Sequence, residues 1–123
     1  MPPVPFDPDD ELMVRAHAEA RASLGRFAEL LPRAASAVVQ FRFESRAGDS
    51  AGDEPVIEHL WGEVLERRAA SVHVRVLTPP VFHEGDPPET LDVPLQDLGD
   101  WEIELPDGSL EGGFTTRATA AIA

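Results

Sequence analysis

Val56-Ile57-Glu58-His59-Leu60-Trp61-Gly62-Glu63-Val64-Leu65-Glu66 supports two readings. As a helix, it lines up Ile57, Leu60, Trp61, Val64 and Leu65 at helical spacing. As a strand, it puts Ile57, His59, Trp61 and Leu65 on one face. The two readings lead to different folds, because the residues that follow are an unambiguous strand. In Ser71 to Leu77, Val72, Val74 and Val76 alternate with His73, Arg75 and Leu77. If the first stretch is extended, Arg67-Arg68-Ala69-Ala70 closes a hairpin between the two.

Upstream, Ser36 to Glu44 has period two, with Ala37, Val39, Phe41 and Phe43 against Val38, Gln40, Arg42 and Glu44. Ala47 to Asp53 is a glycine-rich turn that joins it to the ambiguous stretch. Before it, the spacing predicts one long helix. Asp7 stands at the N-cap, Pro8 at the first helical position, and Asp9, Asp10 and Glu11 in the first turn, where negative charge complements the helix dipole. Leu12, Ala16, Ala20, Leu24, Phe27 and Leu31 form its apolar stripe, and Pro32 stops it near Leu31. Gly25 is its weak point. Residues 1 to 6 read as a flexible tail, because Pro2, Pro3 and Pro5 block helix and ladder bonding.

Downstream, Thr78 to Pro88 is a proline-rich loop and Thr90 to Pro94 a short strand. Leu95 to Leu98 is a turn. Trp101 to Leu105 is a strand with Trp101, Ile103 and Leu105 on one side and Glu102 and Glu104 on the other. Pro106-Asp107-Gly108-Ser109 is a turn signal, and Leu110 to Thr119 is expected to close the sheet. The expected architecture is α+β: one long N-terminal helix packed on a curved, mainly antiparallel sheet of about five or six strands. Residues 7 to 123 are expected to be a single domain.

Three blocks stand out: Glu58-His59-Leu60-Trp61, Asp97-Leu98-Gly99-Asp100-Trp101, and Gly112-Gly113-Phe114-Thr115-Thr116-Arg117. Together with Ala20-Arg21-Ala22-Ser23-Leu24 and Phe41-Arg42-Phe43, in this order, they resemble a bacterial family, domain of unknown function 2314, the YegJ-like proteins. The resemblance spans roughly residues 15 to 120. It implies the strand reading of residues 56 to 66. It implies no activity, because the family has none that is settled.

The chain has 123 residues, no cysteine, and a formal net charge of −13. Without cysteine there are no disulfides, thiolate nucleophiles or thiolate zinc sites. All ten basic residues are arginine. The acidic excess argues against nucleic acid and anionic membrane surfaces as partners, since both need clustered cations. The N-terminal residues lack the basic start and apolar run of a signal peptide, and no stretch reaches the ~20 apolar residues of a span. A cytoplasmic location is the expectation. Between Phe82 and Glu111 lie ten acids and no Arg or Lys. That stretch is either a solvated surface or a face for a basic protein partner.

The candidate binding residues are His59, Trp61, Asp100, Trp101, Gly113, Phe114 and Arg117. His59 is either a histidine at the edge of the core or a general base or ligand contact. Asp97 and Asp100 read as turn caps, because the loop lacks the alternating ligands of a calcium site. Trp101 reads as core before ligand platform. Gly112 and Gly113 either cradle a phosphate, with Arg117 as counter-ion, or make a tight crossing with Arg117 paired to a carboxylate. His17, His59, His73 and His83 have no metal-ligand spacing, and no cofactor is expected. The composition points to a small acidic non-catalytic protein-interaction module. The alternative is a small-molecule or peptide binder using Trp61, Trp101, His59 and Arg117. A third reading is an enzyme pairing His59 with Glu58 or Asp100.

Overall fold

The computed structural model describes residues 11–45, 56–77 and 89–122. The expected tail, the helix-start signals Asp7 to Asp10, the turn at 47–53 and the loop at 78–88 lie outside them. The elements run α1 (Glu11–Ala22), α2 (Leu24–Leu30), a 3₁₀ turn (Leu31–Arg33), β1 (Ser36–Ser45), β2 (Val56–Arg67), β3 (Ser71–Val76), β4 (Thr90–Pro94), a 3₁₀ turn (Leu95–Asp97), β5 (Leu98–Glu104), β6 (Leu110–Gly112) and α3 (Phe114–Ile122). The fold is α+β, with three helices and one open antiparallel sheet of order β4-β3-β2-β1-β5-β6. The chain divides into two compact units, Val38–Gly99 and the two segments Met1–Ala37 and Asp100–Ala123.

In the Val38–Gly99 unit, the ambiguous stretch is a strand. Phe41 lies opposite Leu60 in the β1/β2 register, and Val74 lies opposite Val64 in β2/β3. Val39, Phe41, Leu60, Val72, Val74 and Val93 are buried. Directly opposed residues share a face, so these side chains form one apolar layer across four strands. This is not the face that the sequence pattern favoured. His59 is exposed, Trp61 half-buried and Leu65 exposed, while Leu60 and Gly62 between them are buried. Pairing with Phe41 decides the matter, because it turns Leu60 inward. Gly62 has a packing reason: a Cβ there would meet the Val74 Cβ at 3.0 Å and the Arg75 carbonyl oxygen at 3.2 Å. The register slips between Val64 and Glu66, a bulge that leaves Leu65 outside the ladder.

In the other unit, the expected single long helix is two helices. Ser23 breaks the run with φ −102° and ψ 14°, outside the helical well. Its hydroxyl donates to the Ala20 carbonyl at 3.1 Å and accepts the Trp101 indole N–H at 3.1 Å. A serine that bonds to backbone competes with helix propagation, and here the indole holds it in place. The buried stripe keeps its phase across the break, since Ala20 and Phe27 lie two turns apart. Met13, Ala16, Ala20, Phe27 and Leu30 are buried, whereas Leu12 is 41% exposed and Leu24 and Leu31 are half-buried. Pro32 ends the run as expected, inside the 3₁₀ turn. At the C-terminal side, β6 holds only three residues, and the expected closing strand over Leu110 to Thr119 is replaced from Phe114 onward by α3. α1 packs against α3.

Candidate functional site

Two of the conspicuous blocks meet at the start of α3. Gly112 and Gly113 both take positive φ, 88° and 66°. They turn the chain from β6 into the helix while crossing directly over Trp101. The Gly113 N–H donates to the Trp101 carbonyl at 2.7 Å. A Cβ on Gly112 would collide with the same carbonyl oxygen and with the indole ring, so only glycine fits. Gly113 sits at the helix N-cap and has no side chain to cap with. The cap comes from β5 instead. Asp100, 1% exposed, accepts the backbone N–H of Phe114 at 3.2 Å and of Thr115 at 2.8 Å, and the Thr115 hydroxyl at 2.5 Å. It also accepts the Trp101 N–H at 2.8 Å. A carboxylate at a helix N-terminus both satisfies orphan donors and complements the dipole.

This geometry explains why the sequence resisted a phosphate nest. The amides that would cradle an anion are taken, that of Gly113 by the Trp101 carbonyl and those of Phe114 and Thr115 by Asp100. It also removes Asp100 from acid–base work with His59, since its two oxygens accept four donors. Trp101 is equally committed. It is 1% exposed, lies 5.6 Å from the Phe27 ring and 5.9 Å from the Phe114 ring in an edge-on contact, and donates to Ser23. The core reading holds for it, and the platform reading does not. Asp100, Trp101 and Gly113 are therefore interior residues. Phe114 is half-buried and Arg117 exposed. Arg117 lies 5.0 Å from the centre of the Phe114 ring and donates to the Gly112 carbonyl, where a carboxylate partner was expected.

His59 and Trp61 belong to the Val38–Gly99 unit. Cross-strand pairing places Arg42 opposite His59 and Gln40 opposite Trp61. These four stand on the face opposite the apolar layer. Gln40 is 4% exposed, and its amide oxygen has no hydrogen-bond donor. Leaving a buried acceptor unmatched costs about 1–3 kcal/mol. Gln40 and Arg42 were absent from the sequence-based candidates, because only the β1/β2 register brings them beside His59 and Trp61. Along the same face, Arg75 pairs with Glu63 at 3.8 Å. Asp92 takes Arg68 at 2.6 Å and the His73 Nδ1 at 2.9 Å. A histidine–carboxylate contact on this face is thus that of His73 with Asp92.

The acidic stretch is partly spent inside the fold. Glu111 takes the Arg26 guanidinium at 3.1 Å, Asp92 takes Arg68, and Asp100 caps α3. Asp107 accepts the Ser109 hydroxyl at 2.6 Å and the Ser109 N–H at 2.9 Å, inside the expected turn. These two bonds, the hydroxyl first, hold its carboxyl below the ordinary 3.8. Glu102, Glu104 and Asp107 follow one another along β5 and its turn, half-buried, exposed and exposed; Glu104 also accepts the Ser36 hydroxyl at 3.3 Å. Among the described residues there is no group of three or more potential metal ligands, and no helix is long and apolar enough to cross a membrane. Compared with protein-family models, curated proteins and solved structures, the chain matches none of them.

Proposed function

We propose that the chain is a non-catalytic protein-interaction domain whose partner is basic. The observation that carries this reading is Glu102 and Glu104, which alternate with the buried Trp101 and Ile103 along β5, followed by the exposed Asp107 in the next turn, in a chain of net charge −13. Such a field steers a cationic partner and gives its binding a marked salt dependence. The absence of cysteine supports a reducing, cytoplasmic setting for it. Membership in the family of domain of unknown function 2314 belongs to the same proposal. It rests on the three blocks, two of which meet in the knot around Asp100.

The test is charge reversal. A variant carrying Glu102→Lys, Glu104→Lys and Asp107→Lys is compared with the parent in capture from host lysate at low and high salt. One dominant basic protein, lost at high salt and lost by the variant, is the expected result. A partner that the variant retains, or no specific partner at all, refutes the reading. Thermal melting of both proteins shows that the variant is folded.

A second reading, a small-molecule or peptide site, is favoured by the unmatched Gln40 oxygen on the face that carries Trp61 and His59. Trp101 takes no part in it, because it is enclosed. A thermal-shift screen of metabolites against the parent and Trp61→Ala tests it, with a ligand stabilising only the parent as the supporting outcome.

A further inference from the structure

Between α1 and α3 lies an open groove of about 260 Å³. From α1 it takes Leu12, Arg15, Ala16 and Glu19, and from α3 Phe114, Arg117 and Ala118. These positions recur at three and four residues, so each helix presents one continuous stripe to the groove. Leu12, Ala16, Phe114 and Ala118 make an apolar floor. Leu12 is 41% exposed, and apolar area left in water there gains on being covered. Two guanidiniums stand on the walls, in a chain that has ten basic residues against twenty-three acids.

Neither guanidinium is held by a close carboxylate. Arg117 donates to the Gly112 carbonyl and lies 5.0 Å from the centre of the Phe114 ring, beside the apolar floor. Arg15 makes only a loose contact of 3.8 Å with Glu11, between side chains 70% and 85% exposed, and such pairs contribute little. Glu19 is the counterweight. A carboxylate that enters the groove meets arginines on both walls and can lay an apolar body over Leu12 and Phe114, whereas a second negative charge would meet Glu19. The volume corresponds to about nine water-sized groups, too little for a helix and enough for a small organic acid.

We propose that this groove binds a small monocarboxylate with an apolar body, held by Arg15 and Arg117 over Leu12 and Phe114. The proposal stands apart from the basic-partner reading, since it uses other residues and the opposite charge.

The experiment is a titration of the full chain, followed by backbone amide NMR shifts, with sodium octanoate, octanamide and octyl phosphate as probes. Octanoate is expected to give saturable shifts centred on Ala16, Phe114, Arg117 and Ala118, with a Kd of about 1 mM or tighter. Octanamide, which lacks the charge, and octyl phosphate, which carries more of it, bind about fivefold or more weakly. Arg15→Gln lowers octanoate affinity about threefold without changing the melting temperature. Arg117→Gln lowers it similarly, and Arg15→Gln guards against any loss of stability when the bond to Gly112 goes. Octanamide binding as tightly as octanoate, shifts centred away from the groove, or no saturation would each overturn the proposal.

Discussion

The Asp100 cap makes a sharp prediction. Replacing Asp100 with alanine leaves the Trp101 N–H, the Phe114 N–H, the Thr115 N–H and the Thr115 hydroxyl without their acceptor, in a largely buried place. At about 1–2 kcal/mol for each orphaned donor, the loss is about 4–8 kcal/mol. A chain of this length has about 6–18 kcal/mol of total stability, so the variant forfeits a large share of it. Asp100→Asn is the finer probe. It keeps the shape and one accepting oxygen, but turns an NH₂ toward the Thr115 N–H. It loses a charge-assisted bond and the dipole interaction, about 2–3 kcal/mol together. Urea denaturation followed by tryptophan fluorescence measures both, because Trp101 adjoins the cap. The midpoint should fall while the slope stays constant. Thr115→Val removes only the hydroxyl bond and should cost about 1 kcal/mol, with a coupling to Asp100 visible in a double-mutant cycle. A loss below about 0.5 kcal/mol for Asp100→Asn would refute the reasoning, since a carboxylate carrying the cap cannot be neutralised so cheaply.

Three other perturbations follow from the same physics. Ser23→Ala should cost about 1 kcal/mol and shift the Trp101 emission, because the indole N–H loses its acceptor inside the core. The two glycine-to-alanine changes should have opposite signs in thermal melts. Gly112→Ala, forced to positive φ against Trp101, should lose about 3 kcal/mol or more, whereas Gly25→Ala, with open space around it in α2, should gain about 0.5–1 kcal/mol. Asp107 supplies a pH signature. Its carboxyl is depressed in the folded state, so its contribution is complete above the ordinary 3.8 and fades as the pH falls through the lower folded value. The stability difference between the parent and Asp107→Asn should therefore be constant near neutrality and vanish in acid, as paired denaturation curves would show.

Local signals in the sequence were reliable where the cause was local. β3 follows from alternation, the turn at Asp107–Gly108 from its own residues, and the end of α2 from Pro32. Failures arose where a distant residue decides. The break at Ser23 depends on an indole 78 positions away. α3 was hidden because Gly113 offers no capping atom and its carboxylate comes from Asp100. Nothing in Phe114 to Ile122 declares a helix without that acceptor. The candidate residues were partly legible for the same reason. Asp100, Trp101 and Gly113 were singled out as binding candidates, and in the structure they are buried and bonded around the start of α3. Gln40 and Arg42 became candidates only when the register set them beside Trp61 and His59.

The remote cap has a consequence for how the molecule opens. A helix of nine residues is too short to persist by itself in water, so α3 has little stability that is its own. Its first turn is fastened to the middle of β5, and β5 in turn fastens Trp101 to the kink at Ser23. The amide protons at the start of α3 should therefore exchange with solvent at the same rate as those around Trp101, in one concerted event, and not by fraying from the end. What the sequence presents as separate signatures along the chain would behave, in time, as a single clasp.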